Sequence, residues 1–202
     1  MAYLISLLFG YFLGSVPFGL ILCYLAGYGD IRKSGSGNIG TTNVLRVTKR
    51  KDLTLLTLIL DAGKAGFAAL IAGTVSSNPE IGLIAGVGGV LGHNFSIWLN
   101  FKGGKGVAST LGMMLATFPT VGVLACLTWV FMAFAFKYSS LSALTALALS
   151  PFYAYLFGGN DTSAYVLAFA FLALLSMIRH KTNIARLING TETKINFKKS
   201  KK

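Results

Sequence analysis

The sequence predicts an all-α, polytopic integral membrane protein with seven transmembrane helices, some of them short, and three observations lead there. Of its 202 residues, 54% are hydrophobic and only 12% charged, with a mean hydropathy of +0.67, whereas a soluble domain carries about 25% charged residues. The apolar residues gather into runs near the length of about 20 residues that a helix needs to cross a bilayer. The bases sit at the ends of those runs, so the net charge of +12 reads as membrane topology rather than as nucleic-acid binding.

The first run, Leu4 to Gly27, has no Lys or Arg before it and exceeds the apolar core of a signal peptide, which marks it as a retained spanning helix. Leu53 to Val75 and Ile81 to Leu99 follow as the second and third spans. Val107 to Phe118, bounded by Gly106 and Pro119, is too short to cross a full bilayer alone and leaves the count at six or seven. Thr120 to Phe136, Leu141 to Phe157 and Ser163 to Ile178 complete the set. Glycines within the spans, as in Ile84 to Gly92, allow helices to approach closely. Cys23 and Cys126 lie in apolar runs without CxxC spacing, so neither a disulfide framework nor a zinc site is indicated. Residues 1–193 read as one membrane-integral domain and 194–202 as a basic, disordered tail facing anionic lipid.

Charge selects seven spans. With the N-terminus outside, every Lys and Arg except Lys64, which lies inside the second span, falls on the cytoplasmic side. The opposite connections hold no base and carry Glu80 and Asp161. This arrangement makes the C-terminus cytoplasmic and brings three polar clusters to one face.

The first cluster, RKSGSGNIGTTNVLR from Arg32 to Arg46, places Gly35, Gly37 and Gly40 at GxGxxG spacing. No strand precedes it and no βαβ unit surrounds it, which excludes a dinucleotide fold. Its glycines can let backbone N–H groups curl around an anion, with Ser34, Ser36, Asn38, Thr41, Thr42 and Asn43 as neutral donors. Arg46 can grip phosphate with two nitrogens. A flexible loop with headgroup-binding bases is the plainer alternative.

The second cluster, GHNFSIWLNFKGGKG from Gly92 to Gly106, sets Lys105 among Gly103, Gly104 and Gly106 at a helix start. Free N–H groups and the helix dipole suit an oxyanion there. It is not a Walker A loop, because Leu99 stands at the first glycine position and Gly106 where Ser or Thr would hold magnesium. His93 and Asn94 lie upstream, and His93 reads as a helix-bridging hydrogen-bonder before it reads as a base.

The third cluster, RHKTNIARLINGTE, opens at Arg179 and puts His180 and Asn183 at i, i+3, on one face if the last helix continues. Asp61 and Lys64 share that spacing inside the second span. They read first as a self-neutralising ion pair, with a role in the site as the alternative.

Together the three stretches resemble the signature motifs of the bacterial membrane-integral acylphosphate:glycerol-3-phosphate acyltransferases, in the expected order and over essentially the whole chain. The resemblance implies seven helices, an outside N-terminus, a multi-pass protein of the bacterial inner membrane and an active site at the cytoplasmic face. It implies transfer of a fatty acyl group from acyl phosphate to the 1-hydroxyl of glycerol 3-phosphate, giving lysophosphatidic acid and inorganic phosphate as the first step of phospholipid synthesis. No metal and no cofactor are expected. The expected partners are glycerol 3-phosphate, acyl phosphate and membrane lipid, with no nucleic acid, and the chain is expected as a monomer.

Both implied substrates carry phosphate, and two dianions about 5 Å apart at an effective dielectric of about 20 would repel by roughly 13 kcal/mol, so fixed cations are needed. Taken with the resemblance, the expected catalytic set is Ser36, Arg46, Lys105, His180 and Asn183. Arg46 and Lys105 supply charge, Ser36 and the loop backbone cradle phosphate, and His180 with Asn183 orients glycerol 3-phosphate. Asp61, Lys64, His93, Asn94 and Arg179 are expected in support.

Two other classes fit less well. A transporter of a small phosphorylated metabolite would place its site near the bilayer midplane between internal repeats, and no repeat is visible. Glycerolipid acyltransferases of the soluble type use a His-x4-Asp pair, but Trp98 and Ala185 occupy the fifth positions after His93 and His180. The six acids form no cluster of the kind a metal-dependent phosphotransferase needs.

Overall fold

A computed structural model describes residues 1–159 and 162–196. Asp161 and the tail lysines Lys198, Lys199, Lys201 and Lys202 lie outside the described residues. Among the described residues every regular element is helical. In chain order they are α1 (Ala2–Ser15), α2 (Phe18–Leu25), α3 (Thr41–Thr48), α4 (Lys51–Ser76), α5 (Pro79–Asn94), α6 (Val107–Thr117), α7 (Pro119–Phe136), α8 (Ser139–Phe157), α9 (Ser163–Arg179) and α10 (Lys181–Ile188). Short 3-10 turns cover Ile31–Lys33 and Ile97–Leu99.

Among the described residues, five spans are long and apolar enough to cross a membrane, counting α1 and α2 together, and α9 with α10 makes a sixth if that pair, bent by 66°, is one span. Helix α6 stays short, as its bounding Gly106 and Pro119 require.

The expected single first helix is instead broken at Val16 and Pro17. Proline has no N–H to continue the ladder, and the carbonyls at the end of α1 need other partners. Ser96 Oγ donates to the Ser15 carbonyl at 2.6 Å, and Lys64 Nζ donates to the Val16 carbonyl at 2.9 Å. Lys64 also pairs with Asp61 Oδ1 at 2.9 Å, both side chains being almost wholly buried. The pair therefore works as a structural clasp between α4 and the α1–α2 break.

Packing runs on small residues, as helices in lipid require. Helix α1 lies so close to α5 that a Cβ on Gly14 would stand 2.0 Å from the Gly89 carbonyl oxygen. Helices α4 and α6 touch in the same way, with a Cβ on Gly112 only 2.1 Å from the Ala62 carbonyl oxygen. Leu83, Val87, Met113, Met114, Phe169 and Leu172 fill the centre between α5, α6 and α9.

The start of the basic tail is docked. Ile195 N–H donates to the Lys137 carbonyl at 2.6 Å, and Lys194 Nζ lies 5.7 Å from the centre of the Tyr138 ring.

Candidate active site

The first polar loop is organised by Asn43, which is 1% exposed. Its Nδ2 donates to the carbonyls of Ile31 and Ser34 at 3.0 and 3.3 Å. Its Oδ1 accepts from the Ser36 N–H at 2.7 Å and the Ser36 hydroxyl at 3.2 Å. Gly35, at φ +63°, passes so close that a Cβ would stand 2.3 Å from that oxygen. The Gly37 N–H also turns inward, to the Ser34 carbonyl. The N–H groups of Ser36 and Gly37 are spent within the loop, so the expected glycine nest does not form there, and Asn43 holds Ser36 instead of offering free donors.

The second loop is likewise tied down at its first two glycines. Gly103 N–H donates to the Asn94 carbonyl at 3.2 Å and Gly104 N–H to the His93 carbonyl at 2.9 Å. Arg179 holds the carbonyls of both glycines from the other side. The N–H groups without intrahelical partners stand instead at the start of α6, from Val107 onward. Lys105 is left facing Asn183 Oδ1, to which its ammonium donates. Burial lowers the Lys105 ammonium from the ordinary 10.5 to about 8, Glu192 opposing and Arg186, Arg46 and Arg179 reinforcing the fall.

The third cluster turns a corner at His180, which ends α9 and precedes α10. His180 Nδ1 lies 2.9 Å from the Ser176 carbonyl oxygen, which can only accept, so Nδ1 carries the proton and Nε2 keeps its lone pair. Burial first, then the charge of Lys105, lowers this imidazole to about 4. Asn183 Nδ2 donates to Glu192 Oε1 at 2.7 Å; Ser140 Oγ donates to the same oxygen, and Arg186 pairs with Oε2 at 2.7 Å. Burial raises the Glu192 carboxyl, but the hydrogen bonds from Arg186, Asn183 and Ser140 outweigh it and hold it below its usual range.

These parts surround one cavity of about 450 Å³. Its polar limb is lined by Ser36, Asn38, Gly40, Thr41, Thr42, Asn43, Arg46, Lys105, Gly106, His180 and Asn183. Four helices, α3, α6, α8 and α10, present their first turns to it through Thr41, Val107, Ser139 and Asn183. Each N-terminus adds roughly half a positive charge. The other limb runs down between α4, α6 and α7 past Leu58, Ala62, Leu111, Leu115, Trp129 and Val130.

Ser34, Gly35, Gly37, Gly103, Gly104, Lys64, Asn94 and Arg179 stand outside the lining and act behind it. Asp61 and His93 belong to the lining. Their closest approach, His93 Nδ1 to Asp61 Oδ1, is 3.6 Å, and the buried Nδ1 has no hydrogen-bond partner.

Sequence reasoning gave no role to Glu192, Arg186, Ser139 or Ser140. Glu192 closes the third motif six residues after Arg186, which could have flagged an acid among bases. The serine pair at the start of α8 carries no such signal.

Helices of membrane length around a cavity lined by both cationic and apolar side chains define a membrane-integral protein. The chain belongs to the glycerol-3-phosphate acyltransferase family, whose family model matches residues 4–190. It is 57% identical over 197 residues to the glycerol-3-phosphate acyltransferase of Rhodospirillum rubrum, covering 94% of this chain and 89% of that one. It is 48% identical over 195 residues to that of Mesorhizobium japonicum, covering 96% and 97%. The crystal structure of PlsY, an integral membrane glycerol 3-phosphate acyltransferase, in its glycerol 3-phosphate form matches with a TM-score of 0.89 at 33% identity, over 97% of this chain and 96% of that one. The all-α, integral membrane architecture and the acyltransferase class expected from the sequence are thus borne out.

Proposed function

We propose that this chain transfers a fatty acyl group from acyl phosphate to the 1-hydroxyl of glycerol 3-phosphate, releasing lysophosphatidic acid and inorganic phosphate. The observation that carries this reading is a cavity with two limbs, one polar and ringed by Arg46, Lys105 and four helix N-termini, the other apolar and lying among spanning helices. An acyl phosphate has that division of polarity.

In this reading Arg46 and Lys105 offset the repulsion between the two phosphates, Ser36 and the α3 and α6 N-termini hold phosphate oxygens, and His180 with Asn183 orients the glycerol hydroxyls. The hydroxyl oxygen bonds to the acyl carbon, the bond from that carbon to the bridging oxygen breaks, and inorganic phosphate leaves. The hydroxyl proton passes to a phosphate oxygen, whose second pKa of about 6 suits it. Asp61 and His93 belong to the cavity lining, and Asn94 and Arg179 support Lys105 from behind. No metal or cofactor takes part.

The reading extends to seven spans, with the N-terminus outside and the C-terminus and the active site at the cytoplasmic face of a bacterial inner membrane, and to a monomer as the working unit. The test is to incubate the purified protein in lipid with glycerol 3-phosphate and palmitoyl phosphate in the presence of EDTA. Lysophosphatidic acid is expected; its absence, or a strict need for added magnesium, would overturn the reading.

A further inference from the structure

Arg179, at the end of α9, directs its hydrogen bonds to two neutral peptide groups. Its Nη2 donates to the carbonyls of Gly103 and Gly104 at 2.8 and 2.9 Å, and its Nε donates to Gly104 again at 3.1 Å. The centre of the Phe95 ring lies 5.3 Å from the guanidinium carbon. Among the described residues no carboxylate pairs with it. A half-buried arginine spent on backbone alone calls for a reason, because its fork matches carboxylate and phosphate far more often.

The reason lies in what the two glycines carry. The peptide unit joining Gly103 to Gly104 is held at both edges: its N–H donates to the His93 carbonyl, the last turn of α5, and its C=O accepts from Arg179. The His93 ring closes the space beside it, since a Cβ on Gly104 would stand 2.1 Å from His93 Nε2. The next residue is Lys105, whose ammonium faces the cavity.

We infer that Arg179 is a positioning residue: by drawing the Gly103 and Gly104 carbonyls away from the cavity, it fixes the direction of Lys105 and keeps two peptide oxygens from facing an anionic substrate. This rests on the proposed role of Lys105. The planar fork is what matters, because Nε and Nη2 hold the two carbonyls with three hydrogen bonds in one rigid plane, whereas an ammonium on a flexible stem fixes no plane.

A double-mutant cycle tests it in the full-length protein reconstituted in lipid. Arg179→Lys, which keeps the charge and loses the fork, should lower kcat/KM for glycerol 3-phosphate at least about tenfold. In a Lys105→Ala background the same change should cost less than about twofold, because the group being positioned is gone. Additive losses would overturn the inference. An unchanged kcat/KM in Lys105→Ala alone would instead refute the lysine clamp, and with it anything for Arg179 to position. As a second measurement, Arg179→Ala should recover activity with methylguanidinium and not with methylammonium. Equal response to the two cations would mean that Arg179 supplies only charge and would also overturn it.

Discussion

At the scale of single residues, the two groups nearest the expected chemistry are both displaced from their ordinary titration ranges, and each displacement predicts a measurement. Lys105, at about 8, is charged at neutral pH and loses its proton on the alkaline side. Since kcat/KM reports the free enzyme, kcat/KM for glycerol 3-phosphate should fall as pH rises through about 8. A bound dianion favours the ammonium, so the alkaline limb of kcat should lie higher. Stability runs the other way: between about 8 and the ordinary 10.5 the unfolded chain binds a proton the folded chain lacks, so unfolding free energy should rise with pH across that window. Superimposed alkaline limbs for kcat and kcat/KM would argue against contact between Lys105 and phosphate. His180 is the opposite case, since an imidazole lowered to about 4 is poorly matched to serve as a base at neutral pH. Its free Nε2 is suited to accept a hydrogen bond from a glycerol hydroxyl. His180→Gln, which keeps a donor and an acceptor, should therefore retain much more activity than His180→Ala between pH 6 and 9. Equal losses of about 10² or more in both would mark a histidine base.

At the scale of elements, helix positions were legible in the sequence because glycine and proline punctuate apolar runs. Val107 to Phe118 became α6 and Leu141 to Phe157 became α8 almost residue for residue. What it hid was the source of backbone satisfaction. Pro17 could have signalled the break in the first span, but that Lys64 and Ser96 would cap it depends on helices far apart in sequence. The same holds for the glycine loops: their spacing suggested anion nests, yet Asn43, the end of α5 and Arg179 consume those N–H and C=O groups, and helix N-termini face the cavity in their place. The clasp can be tested apart from chemistry. Lys64→Met removes the donor of both Asp61 and the Val16 carbonyl and should cost about 3 to 5 kcal/mol, because an uncompensated buried charge remains. Asp61→Leu combined with Lys64→Met should recover most of that loss in thermal unfolding measured in detergent. A double variant no more stable than Lys64→Met would show that the pair does not act as a unit.

At the scale of the whole molecule, charge asymmetry and the cavity arrive independently at the same face. The bases of the three polar clusters flank the ends of spans, and the structure gathers the starts of α6 and α8 and the finish of α9 around the polar limb. The opposite connections, such as the one from Ser76 to Pro79 ahead of Glu80, hold no base. Lys and Arg near span ends resist translocation, so the cavity's polar mouth should face the cytoplasm. This can be read without any assay of activity. In a variant with Cys23 and Cys126 replaced, a single cysteine at Ser77 should react in intact cells with a membrane-impermeant maleimide. A cysteine at Lys49, exposed after α3, should react only once the membrane is opened. Labelling in the reverse order would turn the molecule over, put the polar limb outside the cell and remove the cytoplasmic supply of both proposed substrates. Labelling of both sites in intact cells would mean that the charge asymmetry does not fix a single orientation.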